Sequence, residues 1–328
     1  MSDRILVTGA AGFVGAHLVK ALIQADERHD ILATDVEPVP DWFAADVGSQ
    51  LTYRRGDLTD QSFLDDLQLS SFDRIYHLAA IVGVSDYLEN PLDIVSVNII
   101  ATKHILERVQ DAPVRFVFLS TSEVYGKNPD VPWDEGANRI HGPPTIDRWN
   151  YSTGKSACEH MIHGLARASD SFTATVIRPF NLYGPGQRPN FAASAFVHEV
   201  VNDNPPLVYD GGTQTRCFTY IDDFIDGVIR ASSRPEGENE VFNLGHTRET
   251  SVCELAETVI EVAGKEDLGL AFVDTDDMYG ETYEDLNRRI PDVSKANQLL
   301  DWEAETDLRT GLARFLEWGE IHYRKVHV

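Results

Sequence analysis

The chain has 328 residues, with 53 Asp and Glu against 28 Lys and Arg, a net charge of −25 and an isoelectric point near 4.7. At 42% hydrophobic, 25% charged and 9% aromatic residues it reads as a globular protein of about two domains, at roughly 150 residues each. Collagenous, coiled-coil and disordered classes are excluded, no stretch reaches the ~18–20 apolar residues of a membrane span, and so acidic a field repels nucleic acid and anionic membranes.

The first half alternates short apolar runs with amphipathic stretches, the pattern of a parallel sheet with helices on both faces. Strands are predicted at Arg4–Val7, Asp30–Thr34, Leu51–Arg54, Arg74–Leu78, Arg115–Ser120 and Thr173–Arg178. Helices are predicted at Gly12–Ala25, Gln61–Leu67, Pro91–Gln110 and Tyr151–Ala168, the third opened by a proline in its first turn. After Pro179, Asn181–Gln187 and Pro205–Gly212 are rich in turn residues and read as loops. Val241–Leu244 supplies a seventh strand. Ser251 and Glu254 have capping-box spacing, Gly264 ends that helix, and Asp307–Tyr323 is helical by periodicity.

The glycine-rich turn Thr8-Gly9-Ala10-Ala11-Gly12-Phe13-Val14-Gly15 directly follows a strand and opens a helix. Gly9 permits the tight turn, Gly12 lets a pyrophosphate approach the backbone, and Gly15 lets helix and strand pack closely. The helix N-terminus offers N–H groups and a positive dipole end to phosphates. Asp35, at the end of the second strand, can accept from both adenosine ribose hydroxyls and would repel a 2′-phosphate, so NAD is preferred to NADP. Asp57 follows the third strand, as an adenine contact or a helix N-cap. The fold expected is α/β: a Rossmann-type doubly wound parallel sheet of about seven strands over residues 1–180, completed by the strand near 241–244. Residues 181–328 form a smaller C-terminal substrate-binding lobe, with the chain crossing between the two.

Two further motifs carry chemistry. In Tyr151-Ser-Thr-Gly-Lys155 the phenol and the ammonium share a helix face, and the lysine is expected to lower the phenol's pKa so that it serves as a general base. In Ser120-Thr121-Ser122-Glu123-Val124-Tyr125-Gly126, at a strand's carboxyl end, Thr121 can donate to a substrate oxygen and Glu123 offers a carboxylate. The bland reading of Glu123 is a solvated turn residue. Cys158, Cys217 and Cys253 are odd in number and widely spaced, against a disulfide framework or a structural zinc. With no signal-peptide pattern at the N-terminus, they suit a reducing cytoplasm. Only 7 of the 28 cations are lysine, a balance that suits a high-salt cytoplasm or a GC-rich genome.

Together, and in this order, the three motifs resemble the extended short-chain dehydrogenase/reductases that modify nucleotide sugars, over nearly the whole chain. His77-Leu78-Ala79-Ala80, Asn98, and Arg178-Pro179-Phe180-Asn181-x-Tyr183-Gly184-Pro185 are similar to that family's signatures. The resemblance implies bound NAD held by Gly9, Gly12, Phe13, Val14, Gly15, Asp35, Asp57, Leu58, Leu78, Ala79, Ala80, Asn98, Tyr151 and Lys155. It also implies oxidation of a sugar at C4 by Thr121, Tyr151 and Lys155. Thr121-Ser122-Glu123 is similar to UDP-glucuronate decarboxylases and GDP-mannose dehydratases, and lacks the Asp-Glu pair of dTDP-glucose dehydratases. Arg148-Trp149-Asn150-Tyr151-Ser152, Asp210–Thr219 and Tyr279-Gly280-x-x-Tyr283-Glu284-Asp285-x-x-Arg288-Arg289-Ile290-Pro291-Asp292 resemble the aminoarabinose-pathway decarboxylase and UDP-apiose/xylose synthase. Ser122 replaces the cysteine of the apiose synthases, which disfavours ring contraction.

By this resemblance Ser122, Glu123 and Arg289 join the catalytic set, with Arg289 near the sugar carboxylate. Arg216 meets a diphosphate or uridine, and Asn181 lies on the substrate. Surface pairing with Glu284 or Asp285 is the alternative for Arg288 and Arg289. Cys217 reads as a buried small residue, and His77 as a packed or hydrogen-bonded group at the sheet edge. The implied reaction is decarboxylation of UDP-glucuronate through a 4-keto intermediate without a metal. The alternatives are a UDP-sugar 4-epimerase, a 4,6-dehydratase, and a non-catalytic NAD-binding protein. The partners implied are a nucleotide sugar, UDP-linked first, and a second copy of the chain. That homodimer pairs helices Pro91–Gln110 and Tyr151–Ala168, with Ile94, Val97, Ile105, Met161 and Leu165 as seam candidates.

Overall fold

The computed structural model describes residues 3–26, 28–47, 51–83, 91–274 and 284–324. Tyr279, Gly280 and Tyr283 lie outside these. Seven strands form one sheet: β1 Arg4–Thr8, β2 Asp30–Asp35, β3 Thr52–Arg55, β4 Arg74–His77, β5 Arg115–Leu119, β6 Thr173–Pro179 and β7 Glu240–Leu244. Their order is β7-β6-β5-β4-β1-β2-β3, every neighbouring pair parallel. The order reverses between β1 and β4, so the crevice at the strands' carboxyl ends opens there. Ile5, Leu6, Val7, Phe116, Phe118 and Val176 are fully buried, as strands covered on both faces must be.

The helices are α1 Phe13–Ala25, α2 Asp41–Val47, α3 Gln61–Leu67, α4 Pro91–Val109, α5 Arg148–Ala168, α6 Ala192–Val201, α7 Ile221–Ser233, α8 Val252–Ala263, α9 Ser294–Leu300 and α10 Leu308–His322, and part of this set covers the two faces of the sheet. One face buries Leu18, Val19 and Leu22 of α1 together with Phe224 and Val228 of α7. The other buries Leu64 of α3, Ile105 of α4 and Cys158 and Ile162 of α5. Helix α7 was not predicted, although Ile221, Phe224, Ile225 and Val228 keep helical spacing; it starts directly from a short strand, without a side-chain cap. The cap at Ser251 is as expected, accepting from the Glu254 backbone N–H at 3.0 Å, while the Glu254 side chain turns away to Arg248. Gly264 closes α8 at φ +64°.

The two segments read as loops contain short strands. Leu182–Tyr183 pairs with Thr219–Tyr220, and Leu207–Tyr209 with Ala271–Val273. Two- and three-residue strands carry too little alternation to be seen in sequence. A third small sheet joins Thr215–Arg216, Thr250–Ser251 and Arg288–Arg289, and its register sets Arg216 beside Arg289. Helices α6, α8 and α10 pack on one another. Among the described residues no helix is long and apolar enough to cross a membrane.

Candidate active site

The glycine turn joins β1 to α1 at the point where the strand order reverses. Gly9 has φ +71°, and a Cβ there would sit 2.6 Å from the Ala79 backbone nitrogen, so the turn after β1 lies against the chain leaving β4. A Cβ on Gly15 would stand 2.1 Å from the Gly9 carbonyl oxygen, which fixes glycine there. Gly12 is the exposed N-cap of α1, with no side-chain cap bond. Phe13 and Val14, next in the chain, are half-buried. Asp35 ends β2, and its carboxylate accepts from the backbone N–H of Ala11 at 3.0 Å and of Glu37 at 3.1 Å. A tight turn, a helix N-terminus and a ribose-ready carboxylate thus stand together, and they fit a dinucleotide.

The residues after β4 line the same crevice. Leu78 bonds back to the Thr8 carbonyl, Ala79 donates to the Thr8 hydroxyl at 3.3 Å, and Ala80 is half-buried beside them. Asn98 of α4 clamps Ile81 through both its backbone groups. His77 corrects an expectation: β4 is a central strand, not an edge. Its ring bridges the hydroxyls of Thr8 at 2.9 Å and Thr102 at 3.0 Å, and burial drives its pKa down to about 3, with the Lys155 charge adding to it. Asp57 is neither N-cap nor buried. It accepts from Thr59 in a local turn, Asp60 caps α3, and Leu58 is in the core.

Tyr151 and Lys155 face the sheet from α5, both buried. The Tyr151 ring packs with Ile94 and Ile81. The Lys155 Nζ lies 6.0 Å from the centre of that ring, over the Phe118 ring at 4.5 Å, and donates to the Leu119 carbonyl at 2.8 Å. This corrects the simple electrostatic expectation. Burial first, then the Glu123 charge, pushes the phenol well above its ordinary pKa, so in this arrangement it is held protonated. Burial brings Lys155 down to about 8.

Glu123 is not a solvated turn residue. Thr121 caps the short turn Ser122–Tyr125, its hydroxyl accepting from the Glu123 N–H at 3.1 Å, and Ser122 is buried beneath it. The Glu123 Oε1 meets Arg148 Nη2 at 3.0 Å and Arg289 Nη2 at 2.8 Å. Arg148 also reaches Asp285 Oδ1 at 3.1 Å, and Arg216 reaches the same oxygen at 2.8 Å. Burial would raise the Glu123 carboxyl, but Arg148 and Arg289 outweigh it and hold it below its ordinary value. Asp285 is likewise lowered against burial, and burial takes Arg216 down to about 10. Three guanidiniums against two carboxylates leave this cluster one positive charge, inside a chain of net charge −25.

Arg289 therefore pairs with Glu123 rather than on the surface. Arg288 pairs with Glu249 through two 2.8 Å bonds, not with Glu284 or Asp285. Asn181 sits at φ +35° with its amide toward the Cys217 carbonyl at 3.5 Å, and Cys217 is fully buried. Arg148 and Asp285 lay inside the quoted motifs, yet they were not picked as site residues. Their signal was a pair of complementary charges far apart in sequence, which spacing alone does not reveal.

Residues 5–245 match the NAD dependent epimerase/dehydratase family. The chain belongs to this family. It is similar to the UDP-N-acetyl-alpha-D-glucosaminuronate decarboxylase of Bacillus cytotoxicus, 28% identical over 322 residues, covering 97% of this chain and 98% of that one. It is similar too to the probable UDP-glucuronate 4-epimerase of Rhizobium meliloti, 30% identical over 352 residues and 99% of both chains. The crystal structure of UDP-glucuronic acid 4-epimerase from Bacillus cereus, in complex with UDP-glucuronic acid and NAD, superposes with a TM-score of 0.81 at 28% identity. It covers 96% of this chain and 98% of that one. As a member of the epimerase/dehydratase family the chain is an NAD-dependent enzyme of nucleotide-sugar chemistry, and the glycine turn with Asp35 is the part of it that fits the dinucleotide.

Proposed function

We propose that the enzyme decarboxylates a UDP-hexuronic acid, UDP-glucuronate first, after oxidising it at C4. The observation that carries this is half-buried Glu123 paired with buried Arg289 and Arg148, a net-positive group suited to a sugar that bears its own carboxylate. The named activities of the Bacillus cytotoxicus and Rhizobium meliloti relatives both concern UDP-uronates, and the first is a decarboxylase.

Bound NAD supplies the oxidant for the sugar's C4 carbon. Tyr151 rests protonated, so it must first pass its own proton to solvent; as the phenolate it then takes the C4 hydroxyl proton, and Thr121 orients that oxygen. The 4-ketone so formed is a β-keto acid. Its C5–C6 bond breaks, CO2 leaves, and the bond's electron pair moves into the C4 carbonyl as an enolate, to which the Tyr151 phenol and Thr121 hydroxyl donate. C5 then takes a proton. Both arginines address Glu123 Oε1, and its buried Oε2 has no hydrogen-bond partner among the described residues, so Oε2 is the atom free to hold that proton. Because Glu123 rests ionised, it must first take that proton from solvent, the one proton consumed when a carboxylate leaves as CO2 and a C–H bond replaces it. Arg216, beside Arg289, completes the positive side toward the diphosphate.

The 4-epimerase reading stands second, favoured by the 30% identity to the Rhizobium meliloti protein. Incubation with NAD and UDP-glucuronate, UDP-N-acetylglucosaminuronate, UDP-glucose, GDP-mannose or dTDP-glucose, followed by mass analysis, separates the readings. Loss of CO2 from a uronate supports the proposal, whereas unchanged mass with a new retention time means epimerisation and loss of water means dehydration. The same proposal takes the enzyme as a cytoplasmic homodimer paired through α4 and α5. Ile94 and Ile105 turn inward, so the seam falls to exposed Leu92 and Ile100 with half-buried Val97, Met161 and Leu165. A monomer by light scattering at micromolar concentration would remove it.

A further inference from the structure

One turn beyond Lys155 on α5 stands Glu159, 1% exposed and outside the chemistry assigned above. Arg178 of β6, itself 2% exposed, grips it with two bonds, Nε to Oε1 at 3.0 Å and Nη2 to Oε2 at 2.7 Å. Arg139 reaches Oε2 from the surface side, about a quarter exposed. The remaining capacity of Oε1 is taken by the Ser120 hydroxyl at 2.5 Å. Ser120 is the residue before Thr121, and Leu119, just before it, is the acceptor for the Lys155 ammonium. One buried carboxylate is thus tied to both arms of the catalytic set: by helical spacing to Lys155, and by a hydrogen bond to the chain that carries Thr121.

We propose that Glu159 is a positioning residue whose negative charge keeps Lys155 charged and whose bond to Ser120 fixes the turn bearing Thr121. This rests on the reading of Tyr151, Lys155 and Thr121 as the catalytic set. A buried ammonium loses its proton unless a counter-charge lies near it. Burial has already brought Lys155 down to about 8, while Cys158 and then Glu159 oppose that fall. The titratable or charged groups around Lys155 among the described residues are Tyr151, Cys158 and Glu159 on its own helix, His77 on β4 and, bound to Glu159, Arg178 on β6 and Arg139 from the loop before α5. His77 is neutral near pH 7 and the Cys158 thiol is raised by burial, so Glu159 is the full anion of the set. Arg178 and Arg139 hold it ionised against burial, which would otherwise raise it.

The test reads Lys155 itself, without substrate. The chain has seven lysines, so a spectrum of protein labelled at lysine Cε holds seven signals, and Lys155→Met identifies the one of interest. Glu159→Gln should move the Lys155 titration down by about one unit, and Glu159→Asp should leave it near the wild-type value. Arg139→Gln, at a part-exposed site, leaves Glu159 less compensated and should move it up by about half a unit. If Glu159→Gln does not fold, the sign of the Arg139→Gln shift decides alone. Ser120→Ala should lower kcat about tenfold with KM unchanged. A Lys155 titration at the wild-type pH in both Glu159→Gln and Arg139→Gln, with only the melting temperature reduced, would make Glu159 a scaffold and overturn the proposal. Failure of the catalytic reading shows separately, as undiminished turnover in Lys155→Met.

Discussion

The crevice has two sides built by different means. On the β1 side the contacts are backbone: the Gly9 turn against Ala79, the bare N-terminus of α1, and one carboxylate, Asp35, on the Ala11 N–H. On the other side they are side-chain charges from four segments: Glu123 after β5, Arg148 at the start of α5, Arg216 on a two-residue strand, and Asp285 with Arg289 near the end of the chain. The backbone side suits the NAD by which the family is described. The charged side is where relatives can differ, because exchanging one arginine or carboxylate re-aims the site without touching the sheet.

Breaking each side should give opposite signatures. Gly15→Ala forces a Cβ onto the Gly9 carbonyl, so NAD binding should weaken at least about 100-fold and the melting temperature should fall, both readable by calorimetry. Arg289→Met leaves Glu123 with Arg148 alone. Stability should drop by about 2–3 kcal/mol, less than the ~3–5 kcal/mol of a buried ion left with no partner, and product formation should fall about 100-fold. NAD affinity should stay within about twofold. Loss of NAD binding in that variant would show that the two sides are not independent.

Two smaller effects sharpen the contrast. Lys155 has a folded pKa of about 8 against an ordinary 10.5, so as pH rises the folded enzyme gives up that proton first. Turnover should decline as pH rises through about 8. The carboxyls of Glu123, Glu159 and Asp285 are held below their ordinary values, so their stabilisation is present at neutral pH and is lost as pH falls below about 4 toward their folded values. The acid slope of the melting temperature should therefore be shallower in Arg289→Met. The smallest effect belongs to Asp35→Asn, which removes the charge that repels a 2′-phosphate; the preference for NAD over NADP should narrow about tenfold in a titration of both.

The backbone side was legible because its signals are local. A glycine at fixed offsets after a strand has one economical explanation, and Asp35 falls where β2 ends. The sheet was readable for the same reason, since five-residue apolar runs announce themselves. The charged side was readable only through resemblance. Nothing in the spacing of Glu123 and Arg289 says they touch; the register of Arg216 against Arg289 in a two-residue strand pair arranges it. The pKa of Tyr151 was misjudged for a physical reason. Helical spacing put the ammonium on the same face, but Lys155 spends its proton on the Leu119 carbonyl, and burial with Glu123 nearby controls the phenol. Glu159 was hidden in the same way, one turn farther along the helix, its partners on β6, just after β5 and in the loop before α5.

The central claim is that this net-positive cluster holds the C6 carboxylate of a uronate while its C4 is oxidised, and that the C5–C6 bond then breaks and the carboxylate leaves as CO2. UDP-glucuronate labelled with carbon-13 at C6, incubated with enzyme and NAD and followed by NMR, reads that directly. The label should leave the sugar and accumulate as bicarbonate, with Arg289→Met slowing its release. Label that stays in a hexuronate while the C4 configuration inverts would contradict the account and make the enzyme an epimerase.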